Sequence, residues 1–169
     1  MVFFGIFGFW KIIGFQFLIL ENSQKKNWWN KGGDFKILHK INPIRVNYIL
    51  KNFKNPLKKK VLDIGCGGGL ISEALSFKGA FVTGIDENNK NLNQAKNHAK
   101  INSLKINYIK SSFDNFYKKN KNKFDLILCL EVLEHIDNFK KTLQQITTLV
   151  KPKGTLVLST INRNLKSLI

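Results

Sequence analysis

A doubly wound α/β fold with a mostly parallel sheet is what this sequence predicts, and three observations carry it. The first is Lys59-Lys60-Val61-Leu62-Asp63-Ile64-Gly65-Cys66-Gly67-Gly68-Gly69, where a run of strand formers abruptly loses its side chains. Such a switch reads as a buried strand turning sharply into a helix that starts near Leu70. The second is Asp86, which follows Gly65 at the spacing where a second strand ends beside the first in a βαβ unit. The third is the alternation of strand and helix patterns from Lys59 onward, which implies parallel pairing through right-handed crossovers.

Each element has its own signal. Strands are expected over 60–64, 81–85, 106–110, 125–130 and 155–160, where β-branched and apolar residues cluster. Helices are expected over 70–78, 89–101 and 139–150. A lysine-rich loop covers 118–123, and Lys151-Pro152-Lys153-Gly154 reads as a tight turn into the last strand. Before the core, a helix is expected from about Pro43 to Phe53, with Asn42 as its cap and Pro43 in its first turn. Ile44, Tyr48 and Ile49 would face inward from it. The chain thus divides into an apolar segment 1–20, a cap 21–57 and an α/β core 58–169.

Residues 1–20 are nearly all apolar, but Lys11 sits in their middle, where a charge costs a spanning helix roughly 3 kcal/mol. No positive residue precedes the run and no small-residue cleavage site follows it, which argues against a secretory signal. A helix lying in the membrane interface, a start placed too early and a true span all stay open.

The net charge of +17 has a plain source in this lysine- and asparagine-rich chain. Its lysines fill predicted loops with no aromatic interleaving, so solvated loops come first, an anionic membrane surface next and nucleic acid last. Two cysteines without CxxC spacing, Cys66 and Cys129, point to small buried thiols in a reducing compartment.

The glycine loop is where chemistry concentrates. Glycines there permit positive φ and let the backbone approach a ligand, while the following helix offers its N–H groups. Asp63 can order the loop or meet an ammonium group, and Asp86 can accept both hydroxyls of a ribose. Arg45 stands out because lysine serves nearly everywhere else, and only a guanidinium grips a carboxylate with a planar fork. Ser111, Ser112 and Phe113 follow the third strand, where Phe113 could stack on an adenine and a serine hydroxyl bond its edge, or all three could simply shape the loop. After the fourth strand, Glu131, Glu134 and His135 stand at i, i+3 and i+4 and would share one face of a helical turn. They could hold a divalent ion such as Mg²⁺, His135 could act as general base, or the group could be a helix cap with surface ion pairs.

A third glycine of the NAD fingerprint would fall on Leu70. The form present, Asp63-x-Gly65-x-Gly67-Gly68-Gly69, instead resembles motif I of the class I, Rossmann-like, S-adenosylmethionine-dependent methyltransferases. Trp28-Trp29, Gly33-Asp34-Phe35-Lys36-x-Leu38-His39-x-Ile41-Asn42-Pro43-x-Arg45, Glu131-x-Leu133-Glu134-His135 and Ser159-Thr160-x-Asn162-Arg163-Asn164 narrow this. Together they resemble the ubiquinone biosynthesis O-methyltransferases over roughly residues 28–169.

That resemblance implies methyl transfer from S-adenosylmethionine to phenolic hydroxyls of polyprenylated ubiquinone precursors, of the 3-demethylubiquinol and 2-polyprenyl-6-hydroxyphenol type. It implies cofactor contacts at Arg45, Gly65, Asp86 and, by place in the fourth strand, Leu130, which join Asp63, Gly67 and Ser112 as read from the loops, and it implies a metal site at Glu131, Glu134 and His135. It also implies a cytoplasmic protein at the inner face of the membrane, in a ubiquinone-biosynthesis complex and without nucleic acid. Two further C-terminal strands, expected as an antiparallel hairpin, are missing from the sequence. A truncated, inactive cofactor-binding module of a biosynthetic assembly is therefore the alternative, and a nucleic-acid methyltransferase comes third, because no Asn/Asp-Pro-Pro-aromatic motif follows the fourth strand.

Overall fold

The computed structural model describes residues 3–5 and 27–160. Its elements are β1 (Phe3–Gly5), α1 (Lys36–Asn52), β2 (Lys60–Ile64), α2 (Leu70–Ser76), β3 (Phe81–Asp86), α3 (Asn89–Ile101) and β4 (Asn107–Lys110). They continue with α4 (Phe113–Lys119), β5 (Phe124–Leu130), a 3₁₀ turn (Leu133–His135), α5 (Phe139–Leu149) and β6 (Val150–Ser159). The strands form one sheet in the order β1-β6-β5-β2-β3-β4, and every described pair is parallel. The order reverses beside β2, so the carboxyl ends of β2 and β5 flank the crevice where such sheets bind ligands.

Strand periodicity assigns each side chain to a face. Leu62, Ile64, Ile127, Cys129 and Leu156 pack with α4 and α5 through Phe113, Phe116 and Ile146. Val61, Leu126, Leu128 and Val157 pack on the other face against Ile49 of α1 and Ile71 and Leu75 of α2. The central strands are therefore buried on both sides, which is why they read as continuous apolar runs. Burying a side chain such as Leu126 or Leu128 stabilises the fold by about 2 kcal/mol. Both cysteines are free and buried, and burial pushes the Cys129 thiol up to about 12.

Four expectations are corrected. The helix of the cap begins at Lys36, so Pro43 lies inside it and Asn42 does not cap it; the Asn42 amide donates to Leu70 O at 3.4 Å instead. Ile49 is buried as expected, yet Ile44 is 61% exposed, because residues five apart point to different sides of a helix. The segment before the lysine-rich loop is a helix, α4, capped by Ser112, whose Oγ accepts from Asn115 N. Its Phe113 and Phe116 are buried, so Phe113 belongs to the core and does not stand over an adenine.

The turn expected at 151–154 lies instead within β6, which already begins at Val150; the register shifts there between the pairs Phe124↔Val150 and Leu126↔Thr155, with Lys153 in the left-handed region. Within the apolar N-terminal segment, Phe3–Gly5 pair with Leu156–Leu158 as a strand, so the interfacial-helix reading fails at those three residues. The rest of 1–20 and Asn162-Arg163-Asn164 lie outside the described residues. Among the described residues no helix is long and apolar enough to cross a membrane.

Candidate cofactor site

The site is built where β2 ends. Gly65, Gly67 and Gly69 have φ of +68°, +54° and +86°, which lets the chain reverse twice before entering α2. At Gly65 there is no room for more: a Cβ would overlap Val132 Cγ2.

Asp86, at the end of β3, closes the loop. Its Oδ2 accepts from Gly67 N at 2.9 Å and its Oδ1 from Asn88 N at 2.8 Å. A carboxylate has about four acceptor positions, so capacity remains for a diol.

Asp63 is buried beneath the loop, its Oδ2 accepting from Ser72 Oγ at 2.6 Å, which ties β2 to α2. Burial pushes its carboxyl up to about 6; the Ser72 bond pulls the other way and nearby Asp86 adds to the push. A folded value above 3.8 means this group's stabilisation is complete below that value and is lost as pH rises through about 6. Asp63→Asn keeps an acceptor for Ser72 and should remove this slope, worth at most about 3 kcal/mol between the two limits. Thermal melts at pH 4.5 and 7 then separate wild type from variant. Equal pH slopes would sink the argument.

Arg45 and Glu131 meet across the crevice. Arg45 Nη2 donates to Glu131 Oε1 at 3.0 Å, and Ser159 Oγ donates to the same oxygen at 2.8 Å. Burial lowers the Arg45 pKa against the pull of Glu131. It raises the Glu131 carboxyl, with Ser159 and Arg45 pulling it down and Glu134 adding to the rise. Desolvation is thus the larger effect at both partners, so the pair fixes geometry more than it stabilises.

The three-ligand metal centre does not assemble. Glu131 has φ +56°, and the turn that follows is a short 3₁₀ segment from Leu133 to His135, so the residues do not share a helical face. Glu131 and Glu134 remain close enough to influence each other, whereas His135 is exposed. Thr160 Oγ1 donates to Glu134 Oε2 at 3.1 Å. Among the described residues no three His, Cys, Asp or Glu side chains are placed to hold a metal ion. The residues do not fit the Mg²⁺ expectation. Leu130 ends β5 with its side chain half-buried, and Ser112 lies just past β4 with its hydroxyl oxygen engaged as a helix cap.

One part of the site was not read from the residues. Trp28 and Trp29 strap the glycine loop from outside. A Cβ at Gly68 would overlap the Trp28 ring, and Trp29 Nε1 donates to Gly68 O at 3.1 Å. Trp28 is itself held by Asn91 and Gln94 of α3 and stacks on Phe35. A pair of tryptophans beside glycines, in a chain otherwise rich in lysine and asparagine, was the available signal.

A family described as "Methyltransferase domain" matches residues 37–169. The chain is 42% identical over 154 residues to the ubiquinone biosynthesis O-methyltransferase of Rickettsia bellii, covering 88% of this chain and 63% of that protein. The proteins of the same name from Rickettsia canadensis and Vibrio atlanticus are 44% and 41% identical, over 89% and 83% of this chain and 65% and 59% of theirs. The chain therefore spans under two thirds of the length of these relatives.

Among solved structures, an S-adenosylmethionine-dependent methyltransferase from Clostridium acetobutylicum superposes with a TM-score of 0.61 at 25% identity, covering 73% of this chain and 55% of the other. The magnesium protoporphyrin IX methyltransferase of Synechocystis, with bound SAH, gives 0.65 at 21% identity, over 85% and 64%. The resemblance read from the motifs and the Rossmann-like fold are both borne out.

Proposed function

This chain belongs to the methyltransferase-domain family, and from that premise we propose that it binds S-adenosylmethionine and methylates a phenolic oxygen of a polyprenylated ubiquinone precursor. The observation that carries the reading is the glycine loop closed on Asp86 through Gly67 N at 2.9 Å, beside a buried Asp63. The names of the relatives support the substrate class. An apolar polyprenyl tail places such a substrate at a membrane. The proposal therefore includes peripheral association with the inner, cytoplasmic face, favoured by a net charge of +17, and a place among the proteins of that biosynthesis.

Bound S-adenosylmethionine supplies an electrophilic methyl group on a sulfonium centre. The protein's part is orientation and a path for one proton. Gly65 and Gly67 give the ligand a flat approach, Asp86 takes its ribose hydroxyls, and Ser112 and Leu130 meet its base. Arg45 spends one terminal nitrogen on Glu131, so its fork has further N–H groups for the cofactor's carboxylate. Glu131 and Glu134 face the acceptor from the end of β5. The exposed imidazole of His135 receives the phenol proton.

Titration calorimetry with S-adenosylmethionine and with NAD tests the reading. Binding of the first alone is expected, and binding of NAD alone would overturn it. In the same titrations Arg45→Lys should weaken the cofactor nearly as much as Arg45→Ala, by about 1.5–3 kcal/mol, because a point charge cannot reproduce the fork. Full affinity in the lysine variant would reduce Arg45 to a diffuse attraction.

A further inference from the structure

Hydrogen bonds within the βαβ unit hold most of the glycine loop. Cys66 N donates to Ile85 O at 3.0 Å, Gly67 N to Asp86 Oδ2 at 2.9 Å and Gly69 N to Cys66 O at 2.9 Å. Another comes from outside that unit: the indole N–H of Trp29 on Gly68 O at 3.1 Å. The peptide between Gly68 and Gly69 is thereby bonded at both ends, its N–H to the loop and its carbonyl to Trp29. Glycine peptides rotate readily, so an external donor has real leverage over the direction of this one.

Trp29 is in turn held by a pair of groups the cofactor chemistry does not use. Its ring lies flat on His98 of α3, with centroids 3.3 Å apart and planes 4° from parallel. His98 Nδ1 bonds both carboxylate oxygens of Glu73, at 3.0 and 2.8 Å, and the Glu73 side chain is only 2% exposed. Glu73 sits in α2, the helix that the glycine loop starts. A chain of contacts therefore runs from α2 through Glu73, His98 and Trp29 back to the loop. The strap at Trp28–Trp29 precedes residue 37, where the match to the methyltransferase-domain family begins.

We propose that Trp29 is a positioning residue for the cofactor loop, acting through the Gly68 carbonyl, with the Glu73–His98 pair fixing its ring. This rests on the cofactor reading above for its consequence, but not for its geometry. Trp29→Phe keeps an aromatic face on His98 but removes the N–H together with part of the ring.

Hydrogen–deuterium exchange of the ligand-free chain should then speed up over residues 65–70 by about 3- to 10-fold, the range of one lost neutral hydrogen bond. Other segments and the melting temperature should stay as in wild type. Affinity for S-adenosylhomocysteine should fall by a similar factor of about 3 to 10. His98→Ala should act in the same direction, with a lower melting temperature as well, because the buried Glu73 carboxylate loses its partner.

Unchanged exchange over 65–70 in Trp29→Phe overturns the proposal. So does exchange that rises evenly across the chain together with a lower melting temperature, the mark of a merely structural role. Faster local exchange in a chain whose wild type binds no S-adenosylhomocysteine supports the loop role and overturns the cofactor reading instead.

Discussion

Gly65→Val should abolish binding of S-adenosylmethionine. Gly65 has φ +68°, a region that costs a non-glycine residue about 1–2 kcal/mol and a β-branched one more. Space adds to strain, because any Cβ here overlaps Val132 Cγ2, and Val132 is itself packed against the core beneath it. The loop cannot yield toward Val132, so it must shift toward the ligand and take Gly67 N off Asp86. Calorimetry should show no binding heat for Gly65→Val and a strongly reduced affinity for Gly65→Ala, with circular dichroism confirming that both fold. Wild-type affinity in the valine variant would remove the glycine loop from the cofactor site.

Asp86→Ala should have the next largest effect, weakening the cofactor by about 1.5–3 kcal/mol, or about 10- to 150-fold. Two losses add. The ribose hydroxyls lose a charged acceptor, and Gly67 N and Asn88 N lose the oxygens to which they donate. Asp86→Asn keeps one carbonyl oxygen and should fall between wild type and alanine. An alanine variant that binds as tightly as wild type would mean that the loop orders itself without Asp86. The ribose would then have to be held elsewhere.

The charged groups at the end of β5 show how far residue patterns reach. Sequence spacing placed Glu131, Glu134 and His135 on one helical face, an argument that needs right-handed helical backbone at Glu131. The chain instead takes φ +56° there, because β5 must turn at once over Gly65, and Glu131 rotates toward Arg45 and Ser159. Spacing along the chain cannot report a single left-handed residue. The same holds for Pro43, whose ring suits the first turn of a helix but is tolerated inside α1, where packing of Ile49 on the sheet outweighs one missing hydrogen bond.

By itself the sequence determined the strands β2, β3 and β5, the helix α3, the parallel order they imply, and the pairing of the glycine loop with Asp86. These depend on local periodicity and on glycine's lack of a side chain, which are properties of a short window. It also held the signal for α4, a capping serine followed by Phe113, Phe116 and Tyr117 at helical spacing, though the adjoining run of lysines masked it. The tertiary structure alone decided which charges meet and what covers the loop. Arg45 finds Glu131 86 positions away, Trp29 finds Gly68 39 positions away, and His98 finds Glu73 25 positions away. Such contacts arise from how α1, α2 and α3 pack on one face of the sheet, a geometry that no window of the chain contains.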